Sequence, residues 1–297
     1  MASVMPNEFD FNQSSEQMFY FFINAEIDGT PSNNVTPGRL IFSTTSSTGS
    51  DPIERLRIKS DGQVRIQTDG SNDVPAKLQL HSEDTSISSG DHIGEIRFTG
   101  RDSAGAGTEA VGALIDVTAA ADWNTGSTGY YPSNIDFHTQ SNTGTDTVAA
   151  GPRMRITAAG KTLVGGQTSE RSAWFNTSTF NPALQVEGSG GPGGQYASIT
   201  ANHDASGYGA RLLIGRTKGT SAGAVTVVAS GDELGGMSWF GSDGTQMVEA
   251  AHILSYVDNT PGADDMPGSL RFGTTADGAT APTERLRISS VGALGIA

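Results

Sequence analysis

Polar and apolar residues alternate across Arg55-Leu56-Arg57-Ile58, break at Lys59-Ser60-Asp61-Gly62, and alternate again across Gln63-Val64-Arg65-Ile66. A period of two on both sides of a turn containing Asp-Gly predicts a β-hairpin. Leu56, Ile58, Val64 and Ile66 then share one face, and Arg55, Arg57 and Arg65 the other. The pattern returns at the end of the chain, where Leu286, Ile288, Leu294 and Ile296 hold the apolar positions. No segment carries a sustained 3.6-residue apolar stripe, so little helix is expected. The nearest, Glu109 to Ala121, aligns with strand-like His252 to Val257 when Glu109-Ala110 is set against Glu249-Ala250.

The hairpin is part of a longer repeat. Ile23 to Gln67 and Ile253 to Ala297 align without a gap at an offset of 230, with 19 of 45 positions identical. The identities include Asp28/Asp258, Pro31/Pro261, Phe42/Phe272, the Glu-Arg-Leu-Arg-Ile run from Glu54 or Glu284, and Gly62/Gly292. Pro152-Arg153-Met154-Arg155-Ile156 and Gly160 mark a divergent third copy, and Ser89-Gly90-Asp91 matches Ser230-Gly231-Asp232. The connectors echo as well, Pro75-Ala76-Lys77-Leu78-Gln79-Leu80 against Pro182-Ala183-Leu184-Gln185-Val186. Repetition at turn and strand positions is the mark of architecture rather than of an active site.

A hairpin with one apolar face is not stable alone, and an identical chain around a threefold axis can cover that face. The expected fold is therefore all-β: serial β-rich cassettes forming an elongated, intertwined homotrimer. Its core would hold Leu56, Ile58, Val64, Ile66, Leu286 and Ile288. Composition agrees, because Leu, Ile, Val and Phe make up just under a fifth of the chain while 39 residues are glycine. Such a chain buries little by itself. A net charge of −14 disfavours phosphate backbones, so nucleic acid is not an expected partner. The absence of cysteine excludes disulfides and thiolate metal sites. Phe19 to Ile23 is too short for a signal peptide core or a membrane span, so neither secretion nor membrane insertion is expected.

Several motifs suggest chemistry and then lose it. Gly160-Lys161-Thr162 ends like a phosphate-binding loop, but Arg155 stands where the first glycine belongs, and Gly160 is the repeat's turn glycine. Gly188 to Gly194 is interrupted by Pro192 and reads as a linker. His81, His92, His138, His203 and His252 are scattered, without ligand spacing. Asp264-Asp265, Asp232-Glu233 and Glu83-Asp84 sit in turn-like surroundings where acidic residues are common. No cofactor, metal or catalytic residue is assigned. The segment Asp122 to Pro132 brings Trp123, Tyr130 and Tyr131 among small polar groups, which suits either sugar stacking or packing between neighbouring chains. Trp174-Phe175 poses the same choice.

The complete cassette, from Ser230-Gly231-Asp232-x-Leu234-Gly235-x-Met237-x-Trp239 through Glu249-Ala250-Ala251 and Thr260-Pro261-Gly262 to Glu284-Arg285-Leu286-Arg287-Ile288 and Gly295-Ile296, resembles the shaft repeats of bacteriophage tail fibres. The resemblance covers nearly all of residues 18–297. It implies a slender homotrimeric stalk on the virion, made in the host cytoplasm, which contacts other tail or capsid proteins and a host cell-surface glycan or protein. In that family an intramolecular chaperone with autoproteolytic activity often follows the last Gly-Ile. None is expected within this sequence, which stops at Ala297. The implied organisation is an N-terminal virion-attachment segment, 1–17; a half cassette, 18–71; a second cassette, 72–170; and a connector with the third cassette, 171–297. The function implied is structural and non-enzymatic, a tail fibre or spike in host attachment. A capsid- or tail-decoration trimer and a glycan-degrading tailspike are the alternatives.

Overall fold

A computed structural model gives the fold of residues 21–45, 52–68, 75–101, 109–123, 129–140, 151–171, 175, 182–188, 197–202, 204, 207 and 209–297. The expected virion-attachment segment 1–17 lies outside the described residues, as do Trp174, His203 and most of the glycine-rich linker. Every regular element among the described residues is a strand. None is a helix that could cross a membrane.

The chain forms two compact units, Met1–His81 and Ser82–Ala297. The first holds a four-stranded antiparallel meander of β1 (Phe21–Ile27), β2 (Gly38–Thr44), β3 (Ile53–Ile58) and β4 (Val64–Ile66). The second holds two sheets. One is ordered β10-β9-β8-β7-β6-β5, from β5 (His92–Arg101), β6 (Glu109–Ala119), β7 (Ser133–Thr139), β8 (Met154–Ile156), β9 (Thr162–Val164) and β10 (Leu184–Val186). The other runs β11 (Glu233–Ser242), β12 (Met247–Val257), β13 (Gly268–Thr274), β14 (Thr283–Ile288) and β15 (Leu294–Ile296) in order. All pairings are antiparallel except β9 with β10.

Alternation decides which way each side chain points, and register decides what it meets. Ile23, Phe42, Leu56 and Ile66 stand abreast in the first sheet, and Met237, Ile253, Phe272, Leu286 and Ile296 in the last. The middle sheet repeats the row as Ile96, Ile115, Phe137, Met154 and Val164. Within each unit, no second layer of described residues covers these faces: Ile23, Ile58, Val64, Ile66, Ile96, Phe98, Met237, Trp239, Leu294 and Ile296 are all exposed. Of the six residues expected to form a trimer core, Leu56, Leu286 and Ile288 are half-buried and Ile58, Val64 and Ile66 exposed.

The opposite faces explain why the repeat spells what it does. The Asp28 carboxylate accepts the Ser60 amide at 2.9 Å, and Asp258 accepts that of Ser290 at 2.8 Å. Arg55 donates to Thr44 and Arg285 to Thr274, while Arg57 pairs with Glu54 and Arg287 with Glu284. Gly62, Gly160 and Gly292 turn the hairpins with φ of 82°, 77° and 78°, which only glycine adopts at no steric cost. The ladders slip at equivalent places too, after Phe42 and Phe272 and after Phe98 and Trp239.

One sequence alignment is corrected. The ladders set Val111, not Glu109, against Glu249, because Thr99 pairs with Val111 as Phe240 pairs with Glu249. Ala119 and Val257 are likewise equivalent: each amide donates to the carbonyl of the Asp at the turn, Asp91 or Asp232. The Glu-Ala identity thus misplaced this strand by two residues.

Candidate functional site

Three loops meet where β6 hands over to β7. The Trp123 amide donates to the Ile87 carbonyl and the Ala120 amide to the Pro132 carbonyl, each at 2.9 Å. Asp122 accepts the Ser89 amide at 2.8 Å. These bonds fix the expected aromatic cluster. Trp123 is half-buried, its indole N–H directed at the Pro132 carbonyl at 3.4 Å. The Tyr131 ring meets the indole edge-on, with centroids 5.2 Å apart. Tyr130 and Tyr131 are 57% and 56% exposed, so their faces remain available to a partner. Residues 124–128, between them, lie outside the described residues.

Beside this cluster opens a groove of about 520 Å³. Its wall carries Ser89, Thr118, Asn134, Arg155, Thr157 and Glu170. Hydroxyl, amide, guanidinium and carboxylate groups give it a polar lining, with Thr157 donating to Glu170 and Asn134 accepting the Ala158 amide.

A charged cluster that the sequence did not disclose holds the groove's shape. Asp116 and Asp136 face each other across β6 and β7, both buried. Two carboxylates so placed need cations. Arg155 supplies one, gripping Asp136 with both arms at 2.6 and 2.5 Å and donating to the Thr168 carbonyl at 2.7 Å. That bidentate grip raises the Arg155 pKa further above its ordinary value. His92 stands against the other, its Nδ1 2.8 Å from Asp116, and forms an ion pair with it when the imidazole is protonated. The hydrogen bond to Asp116 raises the imidazole pKa, outweighing desolvation. The ladders place Glu233, Leu254, Arg271 and Arg287 at the corresponding positions of the last cassette, so repetition gave no signal for this cluster.

The remaining candidates are placed as follows. Gly160-Lys161-Thr162 forms the β8–β9 turn, and the Lys161 ammonium is 3.3 Å from Glu170. Asp232 accepts the Ala229 amide and pairs with Lys218; that amide, then Lys218, holds its pKa below the usual carboxylate value. Glu233 accepts from the Tyr256 hydroxyl. Asp84 caps its own turn through the Ser86 amide, and Asp264 occupies a left-handed turn position, as Asn34 does in the first unit. His252 lies 3.2 Å from Glu249, and both ring nitrogens of His138 are buried without a hydrogen-bond partner. No group of three His, Cys, Asp or Glu converges among the described residues. Phe175 packs edge-on against Phe240.

No family model matches the chain, and neither does any curated protein. Its fold matches solved structures. The carboxy-terminal domain of the bacteriophage T5 L-shaped tail fibre superposes with a TM-score of 0.60 at 11% identity, over 78% of this chain and 90% of that one. The same domain solved with its intramolecular chaperone domain gives 0.60 at 12% identity, over 78% of this chain and 62% of that one. The all-β architecture is therefore one that a phage tail fibre domain also adopts.

Proposed function

We propose that this protein is a non-enzymatic, homotrimeric phage tail fibre or spike module that supports attachment to the host surface. The observation that carries this reading is the uncovered apolar face of every sheet. Contiguous exposed apolar rows mark interaction surfaces, and a fold shared with a tail fibre domain makes further copies of the chain the natural cover. The Trp123–Tyr131 cluster and the adjoining groove then face outward as the host contact, taking a cell-surface glycan or protein. Modest affinity per site suffices, because three sites on one trimer and several trimers on one virion multiply it. Two measurements test the reading. Light scattering should return three times the 30.8 kDa chain mass, and the purified protein should compete with virions for host cells. A one-chain mass overturns the trimer; reducing-end release from host polysaccharide overturns the non-enzymatic role in favour of a glycan-degrading tailspike.

A further inference from the structure

The two connectors share a spelling but not a structure. Leu184-Gln185-Val186 forms β10 and lies parallel to β9, with Leu184 beside Thr162 and Val186 beside Val164. The Ala183 carbonyl accepts the Thr162 amide at 2.8 Å, and the Glu187 amide donates to Val164 at 3.0 Å. The echo, Leu78-Gln79-Leu80, is exposed and outside every ladder. Its natural counterpart is nonetheless present. β4 is to the first sheet what β9 is to the second, because Ile66 stands opposite Leu56 as Val164 stands opposite Met154.

We propose that Leu78–Leu80 docks as a parallel edge strand beside β4 of a neighbouring copy of the chain. The inference rests on the oligomeric reading above and specifies one of its contacts. Carrying the β9–β10 register across sets Leu78 beside Val64 and Leu80 beside Ile66. In the lone chain these four are 68%, 59%, 47% and 40% exposed. Pairing covers them with one another and closes an open sheet edge with backbone hydrogen bonds, the mode by which extended segments add to sheets.

Two features set the chain's own β4 apart from β9. Parallel neighbours within one chain take a crossover of about a dozen residues or more. β9 reaches Leu184 through residues 165–183, whereas β4 has only residues 67–77 before Leu78. The longer link also leaves β9 through Gly165 and Gly166, both left-handed, with φ of 107° and 90°. A Cβ on Gly165 would stand 1.8 Å from the Glu187 carbonyl oxygen. Gln67 and Thr68 hold those two places after β4, so the same return is closed to them.

The absence of native cysteine gives a clean test. Val64→Cys with Leu78→Cys in the full chain should, on mild oxidation, yield covalent dimers and trimers on a non-reducing gel. Arg65→Cys with Leu78→Cys, whose side chains leave opposite faces, should not. Hydrogen exchange on the unmodified assembly gives a second readout, with the Val64 amide protected as well as that of Thr162. A disulfide closed within one chain overturns the inference. So do free thiols in an intact trimer together with a fast-exchanging Val64 amide; both outcomes leave the trimer standing. A one-chain mass for the unmodified protein overturns both.

Discussion

Replacing Asp136 by alanine is the sharpest test of what shapes the groove. The Asp136 side chain is 4% exposed and its partner Arg155 15%. Removing the carboxylate strands a guanidinium whose remaining direct acceptor among the described residues is the Thr168 carbonyl. Breaking a buried ion pair from one side costs about 3–5 kcal/mol. Arg155 keeps that carbonyl and some solvent, which places the cost near the lower end, about 3 kcal/mol. For a folded unit of this size each kcal/mol moves the midpoint by about 2–4 °C, so Tm should fall by about 6–12 °C. Calorimetry at pH 7 and a fixed scan rate reads this directly. Adding Arg155→Met to the Asp136→Ala chain removes the stranded charge and should recover most of the loss. A fall below about 2 °C, or a double variant no better than the single one, refutes the account.

Leu56→Asp or Ile288→Asp puts a charge on the apolar face of its sheet, and light scattering should then return a one-chain mass; an intact trimer would show that these faces are not the interface. Tyr130→Ala with Tyr131→Ala should lower virion adsorption while moving Tm by only a few degrees, because an edge-on ring pair is worth about 0.5–1.5 kcal/mol; normal adsorption sends recognition elsewhere. Trp123→Ala, which also loses the indole bond to Pro132, should cost more stability than either tyrosine. Stability should fall off on both sides of a plateau in pH. His92 has a raised pKa, so its contribution is complete below about 6.5 and is lost as pH rises through the raised value; His92→Gln should flatten that limb. Asp28 and Asp258, lowered by the Ser60 and Ser290 amides, contribute above about 3.8 and lose that contribution as pH falls through their lowered values.

Much of this was legible in the sequence because it is local. A two-residue period gave the faces of β3, β4, β14 and β15, and a turn that only glycine makes cheaply gave the hairpins. The β6 register escaped because a two-residue slip leaves every side chain on its original face, so alternation cannot detect it. Ala113 and Gly112 offer no bulky side chain to pin the strand, and the Glu-Ala identity filled the gap wrongly. The Asp116–His92 and Asp136–Arg155 pairs escaped for another reason. Each joins residues on different strands, and no other cassette repeats them, so their partners appear only once the ladder is built. Parallel β10 likewise depends on a long return that no local pattern encodes.

Each sheet carries its own ladder and its own slips, after Phe42 in the first, Phe98 in the second, and Trp239 and Phe272 in the last, and the hairpin turn is tied by Asp28, Asn134 or Asp258 in turn. Such a unit can be duplicated, deleted or exchanged between genomes without re-threading its neighbours, since no strand of one meander is shared with another. The number of cassettes then becomes a quantity that recombination changes in whole steps, while the aromatic cluster and groove, found among the described residues in the middle copy, diversify at their own pace.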